Sequence, residues 1–596
     1  MKNLFSSYRL SIPDYLIGGS FLVLCYFSFF HGDMWGAGWD SLNYLFGNPL
    51  EFYENCKKIK GGGENMLGTP YPPTIYVIFA AWLYPFKLFG LLTDPNHFPL
   101  YLTYWLKVLT TLVYAASGLI FYKITQHYFR NRDWGRYGTA IWLTTPLAVF
   151  SQFIFSQYDI FYVFLTLAGF LMFLRGNIST ASLLFGIAIT FKYFPTFVFI
   201  PLLLFFEKRI FKILVSLFIF LIPTLLIQYL YGQSPAFIEG VKNHNAIDRV
   251  FAASIDIGGG WKIYYLFALF TILAGITYLL EASKEKMFYT AAYIFLVASI
   301  LPFLFILWHP QWVMFFAPAI VLTTIIDKRC DRFLLLDLFG MLCFIATVSI
   351  AFQNNVDAAM FRGGLLGLNF NNSYKMAKFF NLFREHSSYV FLSSFWGYLV
   401  IQLVLKYRPV INLGLGQENR FFDYRNVRYR FYVGLLIFIF PACLAIYKDF
   451  TNKHLSIVNE GAGKHYGELL KDRTFEQSFV AKGRFIKKVD LLLATFARQN
   501  SGSVFLEIID SNNQFLAKAE QPIESINDNS WQTFNFDSIN VVKDMPYRLR
   551  LTSPTGQTGN AITWWSTPND SYLKGNAIID GVSQGTDFAF KIKFVK

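Results

Sequence analysis

Apolar runs long enough to cross a bilayer recur along the first three-quarters of the chain, and this recurrence constrains the fold more than any motif. Stretches such as Phe153–Leu174 and Leu183–Phe206 are almost free of charge, and a membrane-spanning helix needs about 20 such residues. Candidate spans fall at 14–30, 100–122, 137–150, 158–174, 213–230, 261–280, 288–307, 310–326, 333–352, 389–406 and 431–447. Only 15% of residues are charged, against about 25% in soluble proteins. A wholly water-soluble enzyme is thereby excluded. The expected fold is a polytopic α-helical membrane protein of about 11 spans plus one helical hairpin.

Two stretches are ambiguous, and charge decides them together. Thr74–Leu92 is interrupted by Pro85 and Lys87, and Ser179–Phe206 is broken by Lys192 and Pro195. If the first lies along the membrane surface and the second is a hairpin that returns to its own side, the inner loops (with Lys406) carry 21 Lys and Arg. The outer segments then carry 10. That asymmetry is the positive-inside pattern. It places the N-terminus in the cytoplasm, in a multi-pass cell-membrane protein, and it sets Lys192-Tyr193-Phe194-Pro195 at an apex inside the membrane. The net charge of +14 belongs to the same pattern: residues 1–453 hold 36 basic and 23 acidic residues, and 454–596 hold 16 and 15. No nucleic-acid partner is implied. No cleavable signal peptide is expected, because bulky aromatics and His31 follow the first apolar run. Five cysteines lie outside the C-terminal region and form no metal motif.

After the last span the pattern changes to short alternating runs, Val504–Ile509, Thr533–Phe536, Tyr547–Thr552 and Phe588–Val595, separated by turns such as Ser511-Asn512-Asn513. Many short strands at this spacing predict an antiparallel sandwich or jelly roll. Two domains are expected: a membrane domain over 1–453 and an extracytoplasmic β-domain over 454–596.

Chemistry concentrates in the first outer loop, His31-Gly32-Asp33-Met34-Trp35-Gly36-Ala37-Gly38-Trp39-Asp40-Ser41-Leu42-Asn43-Tyr44, continuing through Gly47-Asn48-Pro49 and Tyr53 to Tyr71-Pro72-Pro73. Two carboxylates among aromatics and glycines suit a general base; helix capping is the competing reading. This loop, with Ser156-Gln157-Tyr158-Asp159, Phe191-Lys192-Tyr193-Phe194-Pro195 and His309-Pro310-Gln311-Trp312 in the same order, resembles the GT-C superfamily of integral-membrane glycosyltransferases. The likeness covers roughly residues 10–330 and is nearest the mannosyltransferase branches.

The resemblance implies a fold with an outer-loop carboxylate as base and a polyprenyl-phosphate sugar as donor. It implies inverting transfer of one sugar, mannose-like, to a glycan or glycolipid acceptor. Asp40 matches the base, because Tyr44, Gly47 and Tyr53 follow it at family-like distances, and Asp33 is the fallback. Six residues separate the two, unlike an Asp-x-Asp metal pair, so no metal or other cofactor is inferred, and a divalent metal is not excluded. The leaving lipid phosphate needs fixed cations or donors, a role suited to Lys192. An ionisable group within a bilayer costs at least about 2.5 kcal/mol on insertion scales, and snorkelling is its alternative. Gln157, Asp159, His309, Gln311, Tyr44 and Arg249 are the expected supporting substrate contacts. Gly61–Gly63 and Gly258–Gly260 read as loop hinges. In the β-domain, Trp531, Trp564 and Trp565 are candidates for stacking on sugar rings, with core packing as the rival. The other readings of the chain are a transporter or flippase for lipid-linked oligosaccharide, or a non-catalytic assembly protein.

Overall fold

The computed structural model describes residues 12–29, 31–59, 69, 71–95, 98–242, 248–306, 308–327, 329–351, 386–407, 424–437, 456–460, 463–567 and 570–595. The chain divides into two compact units, Met1–Cys443 and Leu444–Lys596. The expected boundary at 453/454, part of the expected 431–447 span and Gly61–Gly63 lie outside the described residues.

The first unit is helical. Tyr101–Phe129, Ile210–Tyr231, Lys286–Phe305 and Ser387–Lys406 are each long and apolar enough to cross a membrane. Two bent pairs, Ile12–Phe27 with Gly32–Phe46 and Arg132–Leu143 with Pro146–Phe155, bring the number to six if each pair is one span. The segment expected near 137–150 lies across the second of these pairs and is broken within it. Pro146 cannot continue the preceding helix, and the axis turns by 53° there. The 310–326 span is likewise a 3-10 turn, Pro310–Met314, followed by the helix Ala317–Ile326. Ser179–Phe206 folds as two helices, Ile178–Ile189 and Pro195–Phe206, with Lys192 in the turn between them. Each arm has 12 residues, about 18 Å of helix, too short to cross a core of roughly 30 Å. Gly186 sits against the Ile210–Tyr231 helix, where a Cβ would come within 2.4 Å of the Phe220 carbonyl oxygen. An alanine there would push the two helices apart.

Between the helices Ile210–Tyr231 and Tyr265–Leu279, a small hairpin is made of β1 (Ser254–Gly258) and β2 (Trp261–Tyr264). Its turn is Gly258-Gly259-Gly260, with φ of +95°, +62° and +82°. Those values favour glycine at all three positions, so this triplet is a turn and not a hinge.

The second unit is a sandwich of antiparallel sheets. One sheet combines β5 (Phe475–Val480), β7 (Ser503–Asp510), β8 (Phe515–Pro522), β10 (Pro546–Thr552), β12 (Ala577–Ile579) and β13 (Val582–Ser583). Their order is β13-β12-β5-β10-β7-β8. The other combines β3 (Ser456–Asn459), β4 (Lys464–His465), β6 (Phe485–Ala494), β9 (Ser530–Asn540), β11 (Thr563–Ser566) and β14 (Phe590–Val595). Their order is β3-β14-β6-β11-β4, with β9 also on β6. Alternation decides which faces meet: Val504, Leu506 and Ile508 from β7 and Val489, Leu491 and Leu493 from β6 are buried in one core, the period of 2 expected of half-buried strands.

Candidate active site

The first described helix, Ile12–Ser28, ends just before His31. Lys107 caps that end: its ammonium donates to the carbonyl oxygens of Tyr26 and Phe29 (2.5 Å to the latter). A cation at a helix C-terminus complements the dipole and occupies carbonyls with no intrahelical partner. The chain then turns and restarts at Gly32, with the His31 Nδ1 accepting the Asp33 N–H at 3.1 Å. This cap sets Asp33 in the first turn of the Gly32–Phe46 helix, where a carboxylate is stabilised. The Asp33 side chain keeps 41% of its surface open, and the Gln157 side-chain amide donates to its Oδ2.

Gln157 is aimed by an unusual stretch of backbone. Phe150–Phe155 is a π-helix, and Ser156 follows it in the left-handed region at φ +61°. A non-glycine residue there is strained, and such strain clusters at functional sites. The turn leads through Gln157 and Tyr158 to Asp159, which precedes the Ile160–Leu174 helix. Asp159 Oδ1 accepts from Lys192 Nζ at 2.5 Å, and Tyr162 donates to Oδ2 at 3.4 Å. The rings of Trp312, Tyr71 and Tyr162 surround the ammonium at 5.4, 5.8 and 5.9 Å. Both charges are buried. A buried pair with cation–π neighbours is the arrangement in which such charges are tolerated.

His309 meets Trp312 edge-on, with ring centroids 5.0 Å apart. Burial pushes its imidazole down to about 4, and the Arg249 and Lys192 charges add to the effect. His309 is therefore a neutral group at pH 7. Asp33 is the carboxylate whose charge acts on Lys192, Asp159 and His309 alike. Among the described residues, Ser156 Oγ, the side-chain carbonyls of Gln157 and Gln311, and Trp312 Nε1 are buried with no hydrogen-bond partner. Orphaned buried groups are rare and mark strain or an absent ligand.

Lys192, Tyr71 and Trp312 also line one side of a cavity of about 480 Å³ whose other walls are apolar, including Phe197, Val250, Phe251, Phe267 and Ile306. A cation beside an apolar chamber suits an amphiphile with an anionic head. Among the described residues, no three His, Cys, Asp or Glu side chains are grouped as they would be around a metal ion.

The sequence-derived candidates thus divide. Asp33, Gln157, Asp159, Lys192, His309 and Arg249 act on one another through contacts or charge. Gln311 adjoins them through Trp312, and its backbone carbonyl accepts from Ser151 at 2.8 Å. Asp40 lies seven residues beyond Asp33 on the same helix, about 10 Å along the axis. It is buried, Thr69 donates to its Oδ2 at 3.4 Å, and Tyr53 and Tyr76 feel its charge. Tyr44 is taken up by packing: its hydroxyl pairs with that of Tyr231 at 3.0 Å, and its ring stacks on Phe52. The cradle of Tyr71, Tyr162 and Trp312 was absent from the sequence-based set, although Tyr71 and Trp312 stand in quoted motifs.

In the β-domain, Trp564 is corrected from glycan contact to core. It is fully buried, stacks on Phe588 at 4.4 Å and donates to the Ala589 carbonyl at 2.8 Å. Trp565 donates to Asn529 at 2.8 Å, and Lys591 sits 3.9 Å from the Trp531 ring. Trp564→Ala is expected to destabilise the sandwich by about 3–5 kcal/mol, whereas Trp531→Ala and Trp565→Ala cost far less. Protease susceptibility of the 456–595 region in the full-length protein, followed through a temperature ramp, checks the order.

No protein-family model and no curated protein matches the chain. Among solved structures, it is similar to ArnT from Cupriavidus metallidurans bound to undecaprenyl phosphate, at 14% identity and a TM-score of 0.36, over 75% of this chain and 79% of that one. It is also similar to the arabinosyltransferase EmbB from Mycobacterium smegmatis, at 9% identity and a TM-score of 0.33, over 99% of this chain and 74% of that one. Both likenesses are too distant for a residue-by-residue comparison.

Proposed function

We propose that the chain is a membrane glycosyltransferase of the GT-C type, moving one mannose-like hexose from a polyprenyl-phosphate donor to a glycan or glycolipid acceptor on the outer face of the membrane. One observation carries the reading. An accessible carboxylate, Asp33, acts through its charge on the buried Lys192–Asp159 pair, and that pair's lysine lines an apolar cavity.

The chemistry follows from those positions. The isoprenoid tail occupies the apolar cavity, and its phosphate meets the Lys192 ammonium, held in place by Asp159. The Gln157 and Gln311 carbonyls, with no partner among the described residues, accept from sugar hydroxyls. Asp33 takes the proton from the acceptor hydroxyl as its oxygen attacks the anomeric carbon. The bond from that carbon to the phosphate oxygen breaks, and polyprenyl phosphate leaves with the electron pair. Lys192, with Arg249 nearby, offsets the charge that develops. Attack opposite the leaving group inverts the anomeric centre. The base favoured by this geometry is Asp33 in place of Asp40. The N-terminus is assigned to the cytoplasm and the β-domain to the outside, on the loop charges.

The protein reconstituted with a polyprenyl-phosphate hexose is expected to release polyprenyl phosphate once an acceptor glycan is supplied. Movement of the donor across the bilayer without cleavage would overturn the reading in favour of a transporter.

His309 gives a second check. Its folded value of about 4 lies below its usual 6.5, so between these values the unfolded chain binds the proton that the folded chain does not. The stability it contributes is present above about pH 6.5 and is lost as the pH falls towards 4. His309→Gln is expected to flatten that acid loss in thermal unfolding, and to remove no inflexion near pH 6.5 from the activity profile.

A further inference from the structure

The β1–β2 hairpin is an amphipathic ribbon with its apolar face uncovered among the described residues. Ile255 pairs with Ile263 and Asp256 with Lys262. Side chains alternate along a strand, so Ile255, Ile263 and Trp261 share one face, while Asp256 and Lys262 share the other. Ile257 stands in the bulge between Asp256 and Gly258. Ile255, Ile257, Trp261 and Ile263 are 47, 60, 73 and 44% exposed. A two-stranded ribbon is marginal by itself in water, and apolar side chains grouped on one exposed face mark an interaction surface.

We propose that this face rests on the lipid bilayer, at the boundary between headgroups and hydrocarbon. The ribbon runs straight into the apolar helix Tyr265–Leu279, with the Tyr265 N–H bonded to the Ala253 carbonyl at 3.1 Å. That helix exposes Ile272 and Ile276, so the ribbon leads directly into a second apolar surface suited to lipid. Tryptophan favours this depth because its ring is apolar and its N–H polar. The opposite face keeps Asp256 and Lys262 for water. Val250 and Phe251, just before the ribbon, wall the apolar cavity, so the ribbon anchors one side of that chamber to the bilayer. This placement holds whether or not the chain transfers a sugar.

The test uses the full-length protein in phosphatidylcholine–phosphatidylglycerol nanodiscs, with native cysteines replaced and a nitroxide attached at Ile257→Cys, Trp261→Cys or Lys262→Cys. The first two are expected to be relaxed more by oxygen than by a water-soluble nickel chelate, and the third the reverse. Equal chelate access on both faces would put the ribbon in water and overturn the proposal. Protection from both reagents would overturn it in favour of cover by protein. A second measurement needs no variant: photoactivatable phosphatidylcholine should label residues 254–264 of the native chain. Labelling of 265–279 without the ribbon would also refute it.

Discussion

Asp33→Asn is expected to lower the rate of transfer by about 10²–10⁴, the usual contribution of a general base, equivalent to about 2.7–5.5 kcal/mol of barrier. The substitution is nearly isosteric. An amide oxygen at the same place still accepts from Gln157 and leaves the His31 cap on the Asp33 N–H undisturbed, but it cannot take a proton from the acceptor. The effect therefore falls on kcat, with the KM for the donor changed little, because the proposed donor contacts lie at Lys192, the apolar cavity and the two glutamines and not at Asp33 itself. Asp40→Asn is the paired variant. Its carboxylate sits against Thr69, Tyr53 and Tyr76, so the expected loss is in stability, with kcat within a few-fold of the parent. The measurement is release of polyprenyl phosphate at saturating donor. Loss of turnover in Asp40→Asn with Asp33→Asn active would return the base to Asp40 and leave the rest of the site standing.

The contrast between these two carboxylates shows what the sequence conveys and where it stops. Spacing to Tyr44, Gly47 and Tyr53 favours Asp40, but spacing along a chain does not say which turn of a helix faces the buried pair. That depends on where the first helix ends, which Lys107 sets from a distant segment. Lys192 was legible as a candidate because an ionisable group in an apolar run is costly enough to demand a partner, but Asp159 stood there as a substrate contact. The strands of the β-domain were legible for a similar reason: one sheet face is buried and the other is not. Trp564 was misplaced because the same period holds for an aromatic on either face. The break at Pro146 was visible as a proline, but the π-helix beyond it and the left-handed Ser156 carry no residue signature. Not every cation near a span reports a solvated loop. Arg428 and Arg430, counted among inner-loop charges, lie buried against Asp14 and Asp337, and Lys406 bonds to Ile320, Thr323 and Thr324 inside the bundle.

Arg430 carries the largest expected effect on stability. Its guanidinium is fully buried, donating to Asp337 Oδ2 at 2.9 Å, to Thr144 Oγ1 at 3.3 Å and to the Ile141 carbonyl. Tyr398 donates to the other oxygen of Asp337 at 3.0 Å. Gly340 makes room for that ring, since a Cβ there would come within 2.6 Å of it. Four helices thus meet at one ion pair: Arg132–Leu143, Cys330–Ala351, Ser387–Lys406 and 424–437. Removing either partner leaves the other charged and buried, which costs about 3–5 kcal/mol. Arg430→Met and Asp337→Leu are each expected to lower the unfolding midpoint sharply in nanodiscs, whereas the double variant regains most of the loss because neither charge is stranded. If the single losses simply add in the double variant, the pair is not the source of the effect, and the surrounding packing at Gly340 and Tyr398 is. Release of polyprenyl phosphate per folded molecule should stay near the parent's in all three variants, because among the described residues Lys192 and Asp159 bond to each other and to Tyr162, not to Arg430, Asp337 or Tyr398.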